Sequence, residues 1–132
     1  MKTFHDSETH HVVIIGSGFG GLFAAQALKR ADVNVTLIAK TTHHLFQPLL
    51  YQVATGILSE GEIAPATRDV LHNQPNVQVL LGLVWDIDLD NRLVKWRHHN
   101  DETVTPYDSL IVATGAGASY FGRDHFATFA PG

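Results

Sequence analysis

Apolar residues in this chain come as short solid runs, one helical stripe and one stretch of alternation. Val12-Val13-Ile14-Ile15 is a run of four β-branched residues, which predicts a short buried strand. Gly21, Ala24, Ala25 and Leu28 then recur at i, i+3, i+4 and i+7, the stripe of a helix with a slim face for a sheet. Lys29 and Arg30 fall in its last turn, where cations suit the helix dipole. After the turn residues Asp32 and Asn34, Val35–Ala39 reads as a second strand. Thr41–Gly56 is apolar but carries Pro48 and Gly56, so it predicts a loop with a short helix. Glu60–His72 predicts a helix with Pro65 near its first turn, Asn73 near its end, and Ile63, Thr67, Val70 and Leu71 on its inner face. Asn76–Leu81 is a third strand. Val84–Asp90, Arg92–His98 and Glu102–Pro106 alternate polar and apolar, the signature of an antiparallel meander. Asp90-Asn91 and Asn100-Asp101 supply its turns. Ser109–Ala113 closes the pattern as another buried apolar strand. The predicted class is α/β: a Rossmann-like parallel sheet with helices and an inserted antiparallel β-meander. Strand one, strand three and the last strand share that sheet, and their carboxyl ends converge on a ligand crevice.

Composition narrows the function classes. The 132 residues suffice for one modest domain, and the 45% hydrophobic and 17% charged content fits a globular core. Net charge is −4, so no basic footprint points to nucleic acid. No apolar run approaches the roughly 18 residues of a membrane span. Residues 1–10 lack the apolar core of a secretory signal and read as a polar tail. With no cysteine in the chain, disulfide and thiolate chemistry are excluded. That usage suits a cytoplasmic protein.

The first strand and helix flank Gly16-x-Gly18-x-x-Gly21. Strand, glycine turn and helix in that order grip a dinucleotide pyrophosphate. Gly16 permits the tight turn, Gly18 lets the backbone approach phosphate oxygens, and Gly21 lets the helix pack on the strand. The helix start offers free N–H groups and partial positive charge to an anion. A ribose-binding acid is expected about 20 residues on, but Ala39, Lys40 and Thr41 stand there, with no acid between Asp32 and Glu60. The ribose then falls to Lys40, Thr41 or backbone groups. Lys40 fits a solvated strand-end lysine and equally a partner for a 2′-phosphate.

The glycine fingerprint, the meander and Tyr107-Asp108-Ser109-Leu110-Ile111-Val112-Ala113-Thr114-Gly115-Ala116 together resemble the glutathione-reductase-like flavoproteins with two dinucleotide-binding domains. Within that group, Phe46-Gln47-Pro48-Leu49-Leu50-Tyr51-Gln52-Val53-Ala54-Thr55-Gly56 looks like the type II NADH dehydrogenases. These are single-chain, non-proton-pumping NADH:quinone oxidoreductases that carry FAD. The resemblance implies an FAD-binding domain over residues 11–132. By position, it implies that Gly16, Gly18, Phe19, Gly20 and Gly21 line the FAD pyrophosphate. Ala39 and Lys40 would sit beside the adenosine ribose, and Val84 would meet the adenine through its backbone. Pro48 would pass beside the isoalloxazine ring, and Thr114 and Gly115 would close over the FAD. NADH and quinone are the implied substrates of the parent enzyme. A homodimer, peripheral on the cytoplasmic face of the membrane, is its implied setting. Disulfide reductases of this fold carry a cysteine pair after strand two, where this chain has Leu45–Gln52.

Relatives continue into an NAD-binding domain, a later segment that completes the FAD site, and a membrane-docking part. This chain has one glycine fingerprint, since Gly115-x-Gly117 meets Tyr120 where a third glycine belongs. The expected object is therefore an incomplete FAD-binding domain, ending in a link at Phe126–Gly132. No catalytic residue and no metal ligand set is assigned. The pairs His10-His11, His43-His44 and His98-His99 read as solvated or hydrogen-bonded, because neighbours on a strand point to opposite faces. Glu60 and Glu62 suit a helix start. Trp85 and Trp96 are placed to pair across the meander as packing residues. Two other readings stay open: a non-catalytic nucleotide-binding module, and the NAD(P)-binding half of another dehydrogenase.

Overall fold

The computed structural model describes residues 8–117, 119 and 121–129. Most of the expected polar tail, Tyr120 and Ala130-Pro131-Gly132 lie outside them. Strand β1 (His11–Ile15) leads through the glycine turn into helix α1 (Phe19–Ala27), which tightens into a 3-10 turn over Leu28–Arg30. Strand β2 (Asn34–Ala39) follows. Then come a 3-10 turn (Gln47–Leu49) and three short helices: α2 (Leu50–Ala54), α3 (Glu60–Ile63) and α4 (Thr67–Val70). Strand β3 (Val77–Leu81) precedes the meander β4 (Leu83–Asp88), β5 (Leu93–His98) and β6 (Asp101–Pro106). Strand β7 (Ser109–Val112) returns to the first sheet, and a 3-10 turn covers Asp124–Thr128.

The four-stranded sheet runs β3-β2-β1-β7, all parallel, and the meander β4-β5-β6 is a separate antiparallel sheet. Strand period two sorts the apolar runs between two cores. Val12, Ile14, Val35, Leu37 and Ala39 face α1 and Leu71. Val13, Ile15 and Ile38 face Val94 and Trp96 of the meander. With layers on both faces, β1 and β2 need apolar residues at successive positions. Val13, Ile14, Val35 and Leu37 are fully buried, each worth about 1.5–3 kcal/mol of transfer free energy.

The carbonyls at the end of α1 and just beyond it are answered by side chains ahead of β3. Gln74 Nε2 donates to the Ala25 carbonyl, and Asn76 Nδ2 donates to those of Leu28 and Val33.

Three sequence expectations need correction. The helix expected over Glu60–His72 breaks into α3 and α4. Pro65 lies between the two helices, and the residue before a proline is pushed out of the helical region; Ala64 sits at φ −128°, ψ 62°. The freed backbone pairs elsewhere, with the Pro65 carbonyl accepting from His44 N–H and Thr67 N–H donating to Thr42. Strand β7 is an edge strand rather than a buried one, and Val112 is 58% exposed. Trp85 and Trp96 do not pair. A bulge between Val84 and Asp86 sets Val84 opposite Trp96, which leaves Trp85 exposed under the Lys95 ammonium.

Candidate functional site

The carboxyl ends of the parallel strands are tied together at one edge. Gly16 N–H donates to Ile38 C=O, Ala113 N–H to Ile15 C=O, and Gly82 N–H to Ala39 C=O. Outside this edge lies a crevice of about 1250 Å³. One wall is the glycine turn and the start of α1, the second is Ala113-Thr114-Gly115-Ala116, and the third is Val84-Trp85-Asp86 of the meander.

Each fingerprint glycine has its own reason. Gly16 has φ +103°, and a Cβ there would overlap the Ala113 carbonyl oxygen. A Cβ on Gly21 would overlap the carbonyl oxygen of Gly16. Those two glycines are required by the protein's own packing. Gly18 is different: its backbone is unstrained at φ −70°, ψ −167°, and a Cβ there meets no atom within 4 Å among the described residues beyond its two neighbours in the chain. It opens onto the crevice, so its freedom from a side chain serves whatever enters. Beside it, the first turn of α1 carries backbone N–H groups with no helical acceptor, and it contains no acidic side chain. That turn suits an anion.

Of the residues singled out from the sequence, the structure brings Gly16, Gly18, Phe19, Gly20, Lys40, Val84, Thr114 and Gly115 together on the crevice. Three fall outside its lining. Gly21 is buried between α1 and β1. Ala39 is 3% exposed and faces the helix-side core. Pro48 sits at the start of its 3-10 turn, and Leu45 and Gln47 face the crevice instead. Sequence reading missed Asp86, a carboxylate on the crevice wall, and Gly82, where a Cβ would overlap the Trp96 ring. Gly82 is buried at the crossing from β3 to β4, the kind of close approach that only a glycine allows. Asp86 accepts from Lys95 Nζ at 2.7 Å. That hydrogen bond holds the Asp86 carboxyl below its ordinary range and raises Lys95 above its own. Glu62 is occupied elsewhere. It accepts from the backbone N–H and the hydroxyl of Ser59 in a capping box, and this lowers its pKa. No cluster of three or more metal-ligating side chains occurs among the described residues.

Residues 10–129 match the family described as pyridine nucleotide-disulphide oxidoreductase. The chain belongs to this family. Its expected α/β fold with an inserted meander is the fold observed. Within the family, the chain is 72% identical over 123 residues to the type II NADH:quinone oxidoreductase Ndh of Mycobacterium tuberculosis, covering 93% of this chain and 27% of that protein. It is 30% identical over 125 residues to the external alternative NADH-ubiquinone oxidoreductase of Yarrowia lipolytica, covering 89% and 22%. Among solved structures, NDH2 from Plasmodium falciparum in complex with NADH superposes with a TM-score of 0.79 at 26% identity, over 87% of this chain and 24% of that one. The resemblance to type II NADH dehydrogenases is thus carried by whole-segment identity as well as by motifs. The chain spans about a quarter of the length of the curated relatives it matches. Among its described residues, no helix is long and apolar enough to cross a membrane.

Proposed function

We propose that residues 11–132 are the N-terminal part of an FAD-binding domain, following a polar tail at 1–10, in an enzyme that passes electrons from NADH through FAD to a membrane quinone. The observation that carries the reading is Gly18, a glycine that no contact among the described residues requires, opening onto the crevice beside the start of α1. The identity to a type II NADH:quinone oxidoreductase supports the choice of ligand. Gly18, Phe19 and Gly20 hold the pyrophosphate through backbone N–H groups, with Gly16 and Gly21 shaping the turn behind them. Lys40 and Thr41 meet the adenosine ribose in place of an acid, and the Val84 backbone meets the adenine. Leu45 and Gln47 take the flavin-side position that the sequence suggested for Pro48, and Thr114 and Gly115 cover the cofactor. The bound flavin supplies the redox chemistry, and these residues bind, orient and shield it. The working enzyme is a homodimer lying on the cytoplasmic face of the membrane.

Lys40 on the crevice wall favours one second reading, an NADP site with the lysine against a 2′-phosphate. Purification of the chain followed by denaturation separates the two. Released FAD supports the first reading, and a colourless chain that takes up NADP instead defeats it.

A further inference from the structure

Among the paired histidines, His44 stands apart. It is 5% exposed, while its neighbour His43 is exposed and bonded to Thr42. The His44 ring lies 27 residues from the glycine turn in sequence, yet its Nδ1 is 2.9 Å from the carbonyl oxygen of Ser17. A carbonyl only accepts, so Nδ1 carries the proton. The ring also meets Phe19 edge-on, with centroids 5.0 Å apart. Its backbone N–H is fixed by the Pro65 carbonyl at 2.9 Å, so the break between α3 and α4 holds the histidine in place.

The consequence follows from peptide geometry. The Ser17 carbonyl and the Gly18 N–H belong to one planar trans peptide, in which the two groups point in opposite directions. His44 is buried against the turn and takes no part in lining the crevice. Drawing the Ser17 carbonyl toward His44 therefore turns the Gly18 N–H away from His44, at a residue that itself lines the crevice. Among the described residues no acceptor meets that N–H. A flip of this peptide would aim a carbonyl at the anion in place of a donor.

We propose that His44 is a positioning residue that locks the Ser17–Gly18 peptide with its N–H facing the bound phosphate. This rests on the FAD reading above. His44→Asn keeps a donor near the Nδ1 position, whereas His44→Leu removes it at similar bulk. FAD affinity, read by flavin fluorescence on the purified chain, is expected to fall about tenfold or more in His44→Leu. His44→Asn should stay within about threefold of the parent. Leu binding as well as the parent, or Asn as weak as Leu, would overturn the proposal. Nitrogen NMR of the labelled ring adds an outcome independent of FAD. Nδ1 should appear protonated at neutral pH, and a bare Nδ1 overturns the proposal even where FAD binds. A parent chain that binds no FAD but shows a protonated Nδ1 instead removes the reading of the site, and the phosphate role falls with it.

Discussion

Gly18→Val separates the ligand's needs from those of the fold. The backbone there is extended at φ −70°, ψ −167°, a region open to any residue. Among the described residues beyond its two neighbours in the chain, no atom lies within 4 Å of a Cβ at this position. Gly18 is the N-cap of α1, and an apolar residue at an N-cap costs about 0.5–1 kcal/mol relative to glycine. Restricting the unfolded chain offsets this by a similar amount, about 0.4–1 kcal/mol. The melting temperature should therefore stay within about 4 °C of the parent. Binding behaves otherwise, because the branched side chain occupies the space over the first N–H groups of α1. Losing two charge-assisted hydrogen bonds at about 1.5 kcal/mol each weakens FAD by about 3 kcal/mol, or roughly 150-fold. Gly21→Ala is the opposite case. Its Cβ overlaps the Gly16 carbonyl, and backbone cannot swing aside as a flexible side chain would. Overpacking of about 1–3 kcal/mol, partly offset by alanine's helix preference of up to about 1 kcal/mol, should cost roughly 5–10 °C. Calorimetry and a fluorescence titration on the same samples measure both quantities. Gly18→Val that binds FAD like the parent, or melts as early as Gly21→Ala, would refute the reasoning.

Gly82→Ala should destabilise the chain by about 1–3 kcal/mol, because the added methyl overlaps the Trp96 ring; denaturant melts check this, and an unchanged midpoint counts against the packing described. Asp86→Asn keeps an acceptor oxygen but removes the titrating carboxylate whose charged hydrogen bond with Lys95 lowers the Asp86 carboxyl. A lowered carboxylate contributes stability above its ordinary pKa and loses it as pH falls through the folded value. The variant should thus be the less stable at neutral pH, and the gap should close on acidification below the ordinary carboxylate range. The raised Lys95 acts in the other direction, keeping its contribution until pH rises through the elevated lysine value. Unfolding curves across a pH series test both limbs, and a gap that widens in acid contradicts the assignment.

Much of this architecture was legible because period and position agreed. The runs Val12–Ile15 and Val35–Ala39 read as strands, and the structure shows a core on each of their faces. The alternating segments folded as a meander within one or two residues of their expected bounds. What was hidden depended on contacts far apart in sequence. Pro65 looked tolerable in a first turn, but the backbone on either side found partners at Thr42 and His44 and split the helix. The bulge at Trp85 follows from strand register, which alternation alone does not reveal. At the site, glycine spacing located the turn correctly. It also told Gly18, which faces the crevice, from Gly21, which serves packing, although the family resemblance had set both against the pyrophosphate. Ala39 was drawn to the site by its distance from the fingerprint, yet its place in the strand alternation turns it to the core. His44 could not be told from His43 without the fold that buries one and exposes the other.

Equilibrium titration of the purified chain with FAD, NADH and NADPH tests the central claim most directly. Binding of FAD in preference to both nicotinamide dinucleotides is the expected result, with the preference abolished by Gly18→Val. Tighter binding of NADPH than FAD would contradict the account and give the crevice to the Lys40 reading.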